Sequence, residues 1–444
     1  MAMIRPETEM KDSGVEWIKH IPENWNSMPL KRYFQFGKGL PITKADLTET
    51  GEKVISYGQI HAKFNTGVSV DDKLVRFVSS DYKLTNANSL CSKGDIIVAD
   101  TSEDKEGCGN AVYIDCDEEI FAGYHTIILK STKNNKYLAY LFQSDSWRDQ
   151  IRTRVQGVKL FSITQKILNQ CTIILPPLSE QQAIANYLDE TCSKIDEIIA
   201  EAKASIDEYK ELKQAVIFEA VTKRLDKNAT VYKTGNSWIP FLPIGVKLSR
   251  FGLHHEIILG KMLCPTPRND EDTLEPYYCA ANVHFDGVSG KLKTMWFNSK
   301  EKETYAVHKN DMLIVEGGAG AGGAAIMSEE PPVPTFVQNS IMIVRSHMTD
   351  NRYSCYLVQA LVKNKYVDVV CNKATIPHFT KEKVSYIPYP VFNMNEQSAI
   401  ADYLDEKCKQ IDSLIAEKES LINDLEAYKK SLIYEVVTGK RKVV

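Results

Sequence analysis

Four stretches of the 444-residue chain carry residue types that could do chemistry. The glycine-rich run Gly317 to Gly323 has the freedom of a phosphate cradle, but no Gly-Lys-Ser/Thr follows, so it is not a Walker A loop. A dinucleotide fingerprint would need a helix and an acid about 20 positions on, where Pro331-Pro332 intervenes. Asp95 with Glu103-Asp104-Lys105 has the flavour of a magnesium nuclease, with carboxylates on the metal and a lysine assisting the water. Its counterpart in an internal repeat, Asp311, is followed instead by the glycines, so Asp95 reads as structural. Leu175-Pro176-Pro177-Leu178 lacks the Asn/Asp and the aromatic that an amino-methyltransferase loop needs, and reads as the start of a helix. His254-His255-Glu256 lacks the helical His-x-x-x-His spacing of a metal site and reads as surface or core histidine. No catalytic residue, metal or cofactor is expected.

Net charge is −4, which on its face argues against a nucleic-acid partner. Its distribution points the other way. Thr126 to Gln170 holds eight Lys/Arg against two acids, and Val344 to Tyr386 seven against three. Glu180 to Asp226 holds six against eleven. Local basic surface is what a phosphate backbone feels, and an acidic segment suits a protein partner.

The elements that must position such surfaces follow from a repeat. Glu180-Gln181-Gln182-Ala183-Ile184-Ala185 returns as Glu396-Gln397-Ser398-Ala399-Ile400-Ala401, and the offset of 216 holds without a gap to Arg224/Lys440. About 21 of those 45 paired positions are identical. Apolar residues recur every seven in each copy, the pattern of a helix with one seam facing a partner helix. The seam is expected at Leu188, Ile195, Ile199 and Ile206, and at Leu404, Ile411, Ile415 and Ile422. Ser179 with Gln182 should box the first helix start, Asn395 should cap the second, and Gly439 should give it a left-handed stop. Two matching rods most economically pack on each other.

The globular parts repeat more loosely. Strand-like runs at Val54 to Ile60 and Tyr277 to Val283 precede turns at Phe64 to Val68 and Phe285 to Val288. Lys93-Gly94-Asp95-Ile96-Ile97-Val98 faces Lys309-Asn310-Asp311-Met312-Leu313-Ile314. The loops that follow, Asp100 to Gly109 and Glu316 to Gly323, are of quite different character. A common scaffold with divergent loops is how specificity is installed. The fold expected is α+β: two globular mixed α/β domains separated by two long antiparallel helices of coiled-coil type, related by a pseudo-two-fold internal repeat. Its parts are 1–20, completing the helical region; 21–176, first globular domain; 177–226, first long helix; 227–391, second globular domain; and 392–444, second long helix.

Ten cysteines without Cys-x-x-Cys, no apolar run long enough to span a bilayer and no signal peptide point to a cytoplasmic protein with reduced thiols.

Taken together, the chain resembles the specificity subunit of a Type I restriction-modification enzyme over essentially its whole length. The resemblance rests on Asp12-Ser13-Gly14-Val15-Glu16-Trp17-Ile18, Ile21-Pro22-Glu23-Asn24-Trp25, Lys93-Gly94-Asp95-Ile96-Ile97, and Leu175 to Ile184 with its echo at Asn395 to Ile400. It departs from the commoner pattern at Phe392-Asn393-Met394, where the first copy has Pro177-Leu178-Ser179. The resemblance implies two target-recognition domains that each read half of a split site in double-stranded DNA. It also implies helices that dock two methyltransferase subunits, and two motor-nuclease subunits that complete the complex. Methyl-donor and ATP sites would belong to those partners. From loop placement, the expected DNA contacts are Thr101, Ser102, Lys105, Arg152, Arg154 and Lys159, then Lys261, Lys373, Thr375 and His378. A nuclease or methyltransferase with disguised motifs, and a coiled-coil scaffold binding only proteins, are the competing readings. Metal- or methyl-donor-dependent activity of the lone chain would favour the first. Absence of salt-dependent DNA affinity would favour the second.

Overall fold

A computed structural model of the chain describes residues 3–133, 136–226, 228–371 and 377–443. It divides into two compact units, residues 1–202 with 420–444, and residues 203–419. Two long helices, Leu178–Lys223 and Met394–Val437, each give one half to each unit.

In the first unit a four-stranded sheet has the order Ala111–Tyr113, Ile96–Ala99, Thr126–Lys130, Gln35–Lys38, antiparallel throughout. A second sheet runs Arg76–Val78, Glu52–Ile55, Ile120–Ala122, Leu90–Cys91 and contains one parallel pair. The second unit repeats the scheme. Glu256–Leu259, Ile341–Arg345, Met312–Val315 and Ala324–Ile326 form its four-stranded sheet. Lys293–Phe297, Thr273–Tyr278 and Phe336–Val337 form the other, again with one parallel pair.

The unbroken apolar runs have a simple cause. Successive strand residues point to opposite faces, and here both faces are covered. Met312 and Ile314 enter one core with the helix Asn351–Lys363, while Leu313 and Val315 enter another with Tyr278 and Val283. The expected strands Val54 to Ile60 and Tyr277 to Val283 are shorter than the sequence suggests. Each breaks at a residue that boxes a short helical turn, Ser56 with Gln59 and Cys279 with Asn282.

The antiparallel pairing of the long helices is present within each unit. In the first, Arg5 bonds both Glu180 and the carbonyl of Gly439, and Lys429 pairs with Asp196 at 2.6 Å. In the second, Lys213 pairs with Asp412 at 2.7 Å and Arg224 with Glu396 at 2.9 Å. Seven of the eight expected seam residues are buried, and Ile415 is half-buried. Gly439 has φ +73°, and a β-carbon there would meet Pro22, so the stop needs glycine.

Both cap expectations are corrected. The first helix begins at Leu178, with the Pro177 carbonyl accepting from Glu180 and Gln181, and Gln182 donates forward to Asn186. The second is boxed by Asn393 with Glu396, not capped by Asn395. Proline at 177 offers no side-chain acceptor, so the two starts are satisfied differently. No helix among the described residues is long and apolar enough to cross a membrane.

Candidate nucleic-acid interface

Each globular region hangs on the long helices by the same bonds. Tyr137, wholly buried, donates to the carbonyls of Ile174 and Val437. Tyr353 donates to those of Pro390 and Val221, every partner shifted by 216. Tyr140 bonds Asp189, and Tyr356 bonds Asp405, both at 2.7 Å. Burial and the adjoining carboxylate drive both of these phenols far above the usual range.

On this common frame two loops meet in each unit. In the first, Thr101–Ser102 pairs antiparallel with Phe161–Ser162, and Ile163 donates to the Asp100 carbonyl. A concavity of about 640 Å³ opens beside them, lined among others by Lys38, Asp100, His125, Leu160, Gln165 and Lys166. In the second, Gly317 bridges His378, Gly318 donates to Pro377, and Phe379 donates to the Glu316 carbonyl. The segments 100–109 and 155–163, remote in sequence, thus become neighbours, as do 316–318 and 377–379.

The first loop is wired from behind. His61 bonds the Thr101 carbonyl at 2.8 Å and Asn110 at 3.0 Å. Asn110 accepts from Arg148 at 2.6 Å. The Arg148 guanidinium also donates to Phe142 and Gln143, and burial, with the charge of nearby Arg152, lowers its pKa to about 10. These wiring residues were not legible in the sequence, because they lie on three separate segments.

The expected contact residues divide into four groups. Lys105, Arg154, Lys159 and His378 are exposed. Thr101 and Ser102 are buried at 6% and 2% exposure, since the strand they form is covered. Lys261, at 4%, donates to Glu301 and to the Trp296 carbonyl and lies over the Phe297 ring, and Arg152 is held by Asp145, Asp149 and the Glu106 carbonyl. Lys373 and Thr375 lie outside the described residues. The basic excess counted along the chain also overstates what faces outward. Arg345 is clamped on Asp311, and Arg352 on Asp350, Asp402 and Asp405.

His255 is a core histidine, stacked on Phe251 and bonded to Ser354 and Thr349, and burial lowers its pKa to about 4. Asp95 accepts from the Ser92 amide, and burial raises its carboxyl above the usual value. Among the described residues no group of three or more His, Cys, Asp or Glu could hold a metal ion.

Against known proteins, the model of the Type I restriction modification DNA specificity domain matches residues 22–208 and 264–426. A putative type I restriction enzyme MjaX specificity subunit of Methanocaldococcus jannaschii is 23% identical, over 96% of this chain and 96% of its own. The MjaVIII specificity subunit of the same organism is also 23% identical, over 95% and 94%. A structure described as underlying complex assembly and conformational transition of the type I R-M system superposes with a TM-score of 0.71 at 16% identity, over 95% of this chain and 99% of its own. The HsdS subunit from Thermoanaerobacter tengcongensis gives 0.54 at 15%, over 95% and 98%.

Proposed function

The chain belongs to the Type I restriction-modification DNA specificity family as a specificity subunit, and from that premise we propose that it reads an asymmetric, two-part site in double-stranded DNA and does no catalysis itself. The observation that carries this reading is the pair of unlike loop clusters on one duplicated frame. Identical frames would present two readers in the same way, and unlike loops would read unlike half-sites. Side chains of the two clusters would meet base edges, with Lys105, Arg154, Lys159, Lys373, Thr375 and His378 at bases or phosphates. Thr101, Ser102, Arg152 and Lys261 are assigned to structural roles instead, by their burial and internal partners.

The long helices would dock two methyltransferase subunits, with two motor-nuclease subunits completing the complex. Exposed apolar side chains on them support this: Ile198 and Tyr428 in the first unit, Leu212 and Leu414 in the second, each offset by 216 from its counterpart.

Sequencing the methylated sites of cells carrying this chain and its cognate methyltransferase tests the reading. Two dissimilar half-sites are expected, and a palindrome or no motif would refute it. Removing four residues from one long helix should change the spacing and leave both half-sites unaltered. Lys159→Ala and Lys373→Ala should each weaken binding and reduce the salt slope by about one. Unchanged slopes would reject both as phosphate contacts.

A further inference from the structure

At the junction of the two loops, each unit carries a carboxylate in the same place. Asp100 and Glu316 are offset by 216. The Asp100 amide donates to the His125 carbonyl and its carbonyl accepts from Ile163; the Glu316 amide donates to Ser340 and its carbonyl accepts from Phe379. Both side chains are partly exposed, at 32% and 19%.

Each acid faces a histidine, and the two histidines come from different segments. His125 Nδ1 lies 3.2 Å from Asp100, on the segment where the second unit has Ser340. His378 Nδ1 lies 3.4 Å from Glu316, on the segment where the first unit has Ser162. The pairing was therefore built twice by different routes. In the first unit the Thr101 hydroxyl also donates to Asp100 Oδ1, at 2.7 Å, and His125 sits at φ +54° with its ring against Tyr57. These bonds occupy one carboxylate oxygen in each unit. Oδ2 of Asp100 and Oε1 of Glu316 take no partner among the described residues.

A carboxylate beside a DNA backbone is repelled by the phosphates. It is tolerated where a donor meets it, and the donors that base pairs offer in the major groove are the cytosine N4 and adenine N6 amino groups. Building on the DNA-reading function proposed above, we propose that Asp100 and Glu316 are specificity-determining acids. Each accepts a hydrogen bond from the amino group of one base in its half-site through the oxygen left open. His125 and His378 position the acids, holding the other oxygen through Nδ1, which leaves Nε2 of His378 for the DNA contact assigned to it above. The extra methylene of Glu316 gives the two readers different reach, so the amino-bearing base falls at a different place in each half-site.

The test uses the full chain assembled with its methyltransferase subunits and duplexes of its methylated site. One amino group is deleted at a time, with purine for adenine or a cytosine analogue lacking N4. For the wild type, one deletion in each half-site should weaken binding roughly tenfold or more. In Asp100→Ala the loss should vanish in the first half-site and persist in the second, and Glu316→Ala should do the reverse. Should an alanine variant unfold, Asp100→Asn and Glu316→Gln replace it. The amino dependence must then fall at least severalfold, because the charge-assisted bond is about twice as strong as a neutral one. A wild type insensitive to every deletion, or variants that keep its full sensitivity, would overturn the assignment. A wild type that cannot tell its site from a scrambled duplex would instead overturn the DNA-reading function beneath it.

Discussion

The two units agree most closely where they hold the long helices and differ most where their loops meet. Tyr137 and Tyr353, Tyr140 and Tyr356, and the Lys429–Asp196 and Lys213–Asp412 pairs all repeat at the same offset of 216. Between these fixed points lie a charged loop, Asp100 to Gly109, and a glycine loop, Glu316 to Gly323. Bonds between two elements constrain both partners at once, so they persist in both copies. An exposed loop constrains only its own ends, which leaves it free to take on a different recognition surface.

The largest test of this likeness lies in the seam. Leu188 and Leu404 are fully buried at matching positions, so Leu188→Ala and Leu404→Ala should each cost about 2–5 kcal/mol. Denaturant unfolding of the two variants should give values within about 1 kcal/mol of each other. A clear inequality would show that the frame is less symmetric than its bonds suggest.

A smaller effect sharpens the contrast instead. Asp311 is clamped by Arg345 at 2.8 and 2.7 Å, and the carboxylate raises the arginine pKa. Its counterpart Asp95 has Lys130 near, but that amine donates to the Leu90 carbonyl. Asp311→Asn should cost about 1.5–3 kcal/mol, the worth of hydrogen bonds to a charged group. Asp95→Asn should be neutral or stabilising at pH 7. Because burial raises its pKa, folded Asp95 binds a proton more readily than the unfolded chain does. Stability therefore falls as pH rises from the ordinary carboxylate value, about 3.9, to the raised one, and stays lower above it. The advantage of Asp95→Asn should vanish below that ordinary value. Unfolding curves at pH 7 and at acid pH check this, and a large loss at pH 7 would sink it.

The smallest effects belong to the surface bridges. Lys429→Ala and Lys213→Ala should each cost under about 1 kcal/mol, and less in high salt. Thermal unfolding at low and high salt would expose any difference between the two ends.

Much of the frame was legible because periodicity and duplication are properties of sequence. The seven-residue spacing announced the helices, and the 216 offset paired Asp95 with Asp311 and Leu188 with Leu404. The loops were legible as places but not as surfaces. Thr101 and Ser102 looked like free polar tips, yet they form a strand against Phe161–Ser162 and are buried. Lys261 looked like an exposed cation, yet Glu301, forty residues on, draws it inward. His125 carries no signal of its role, since nothing in its neighbourhood of sequence shows that Asp100 lies 3.2 Å away.

The chain by itself determined that there are two copies of one frame, where each long helix runs, and which of its apolar residues turn inward. Those facts follow from local spacing, since an apolar residue must find an apolar neighbour wherever the chain goes. Tertiary structure alone decided which polar side chains stay outside. Exposure depends on strands and partners far along the chain, and no spacing rule carries that information.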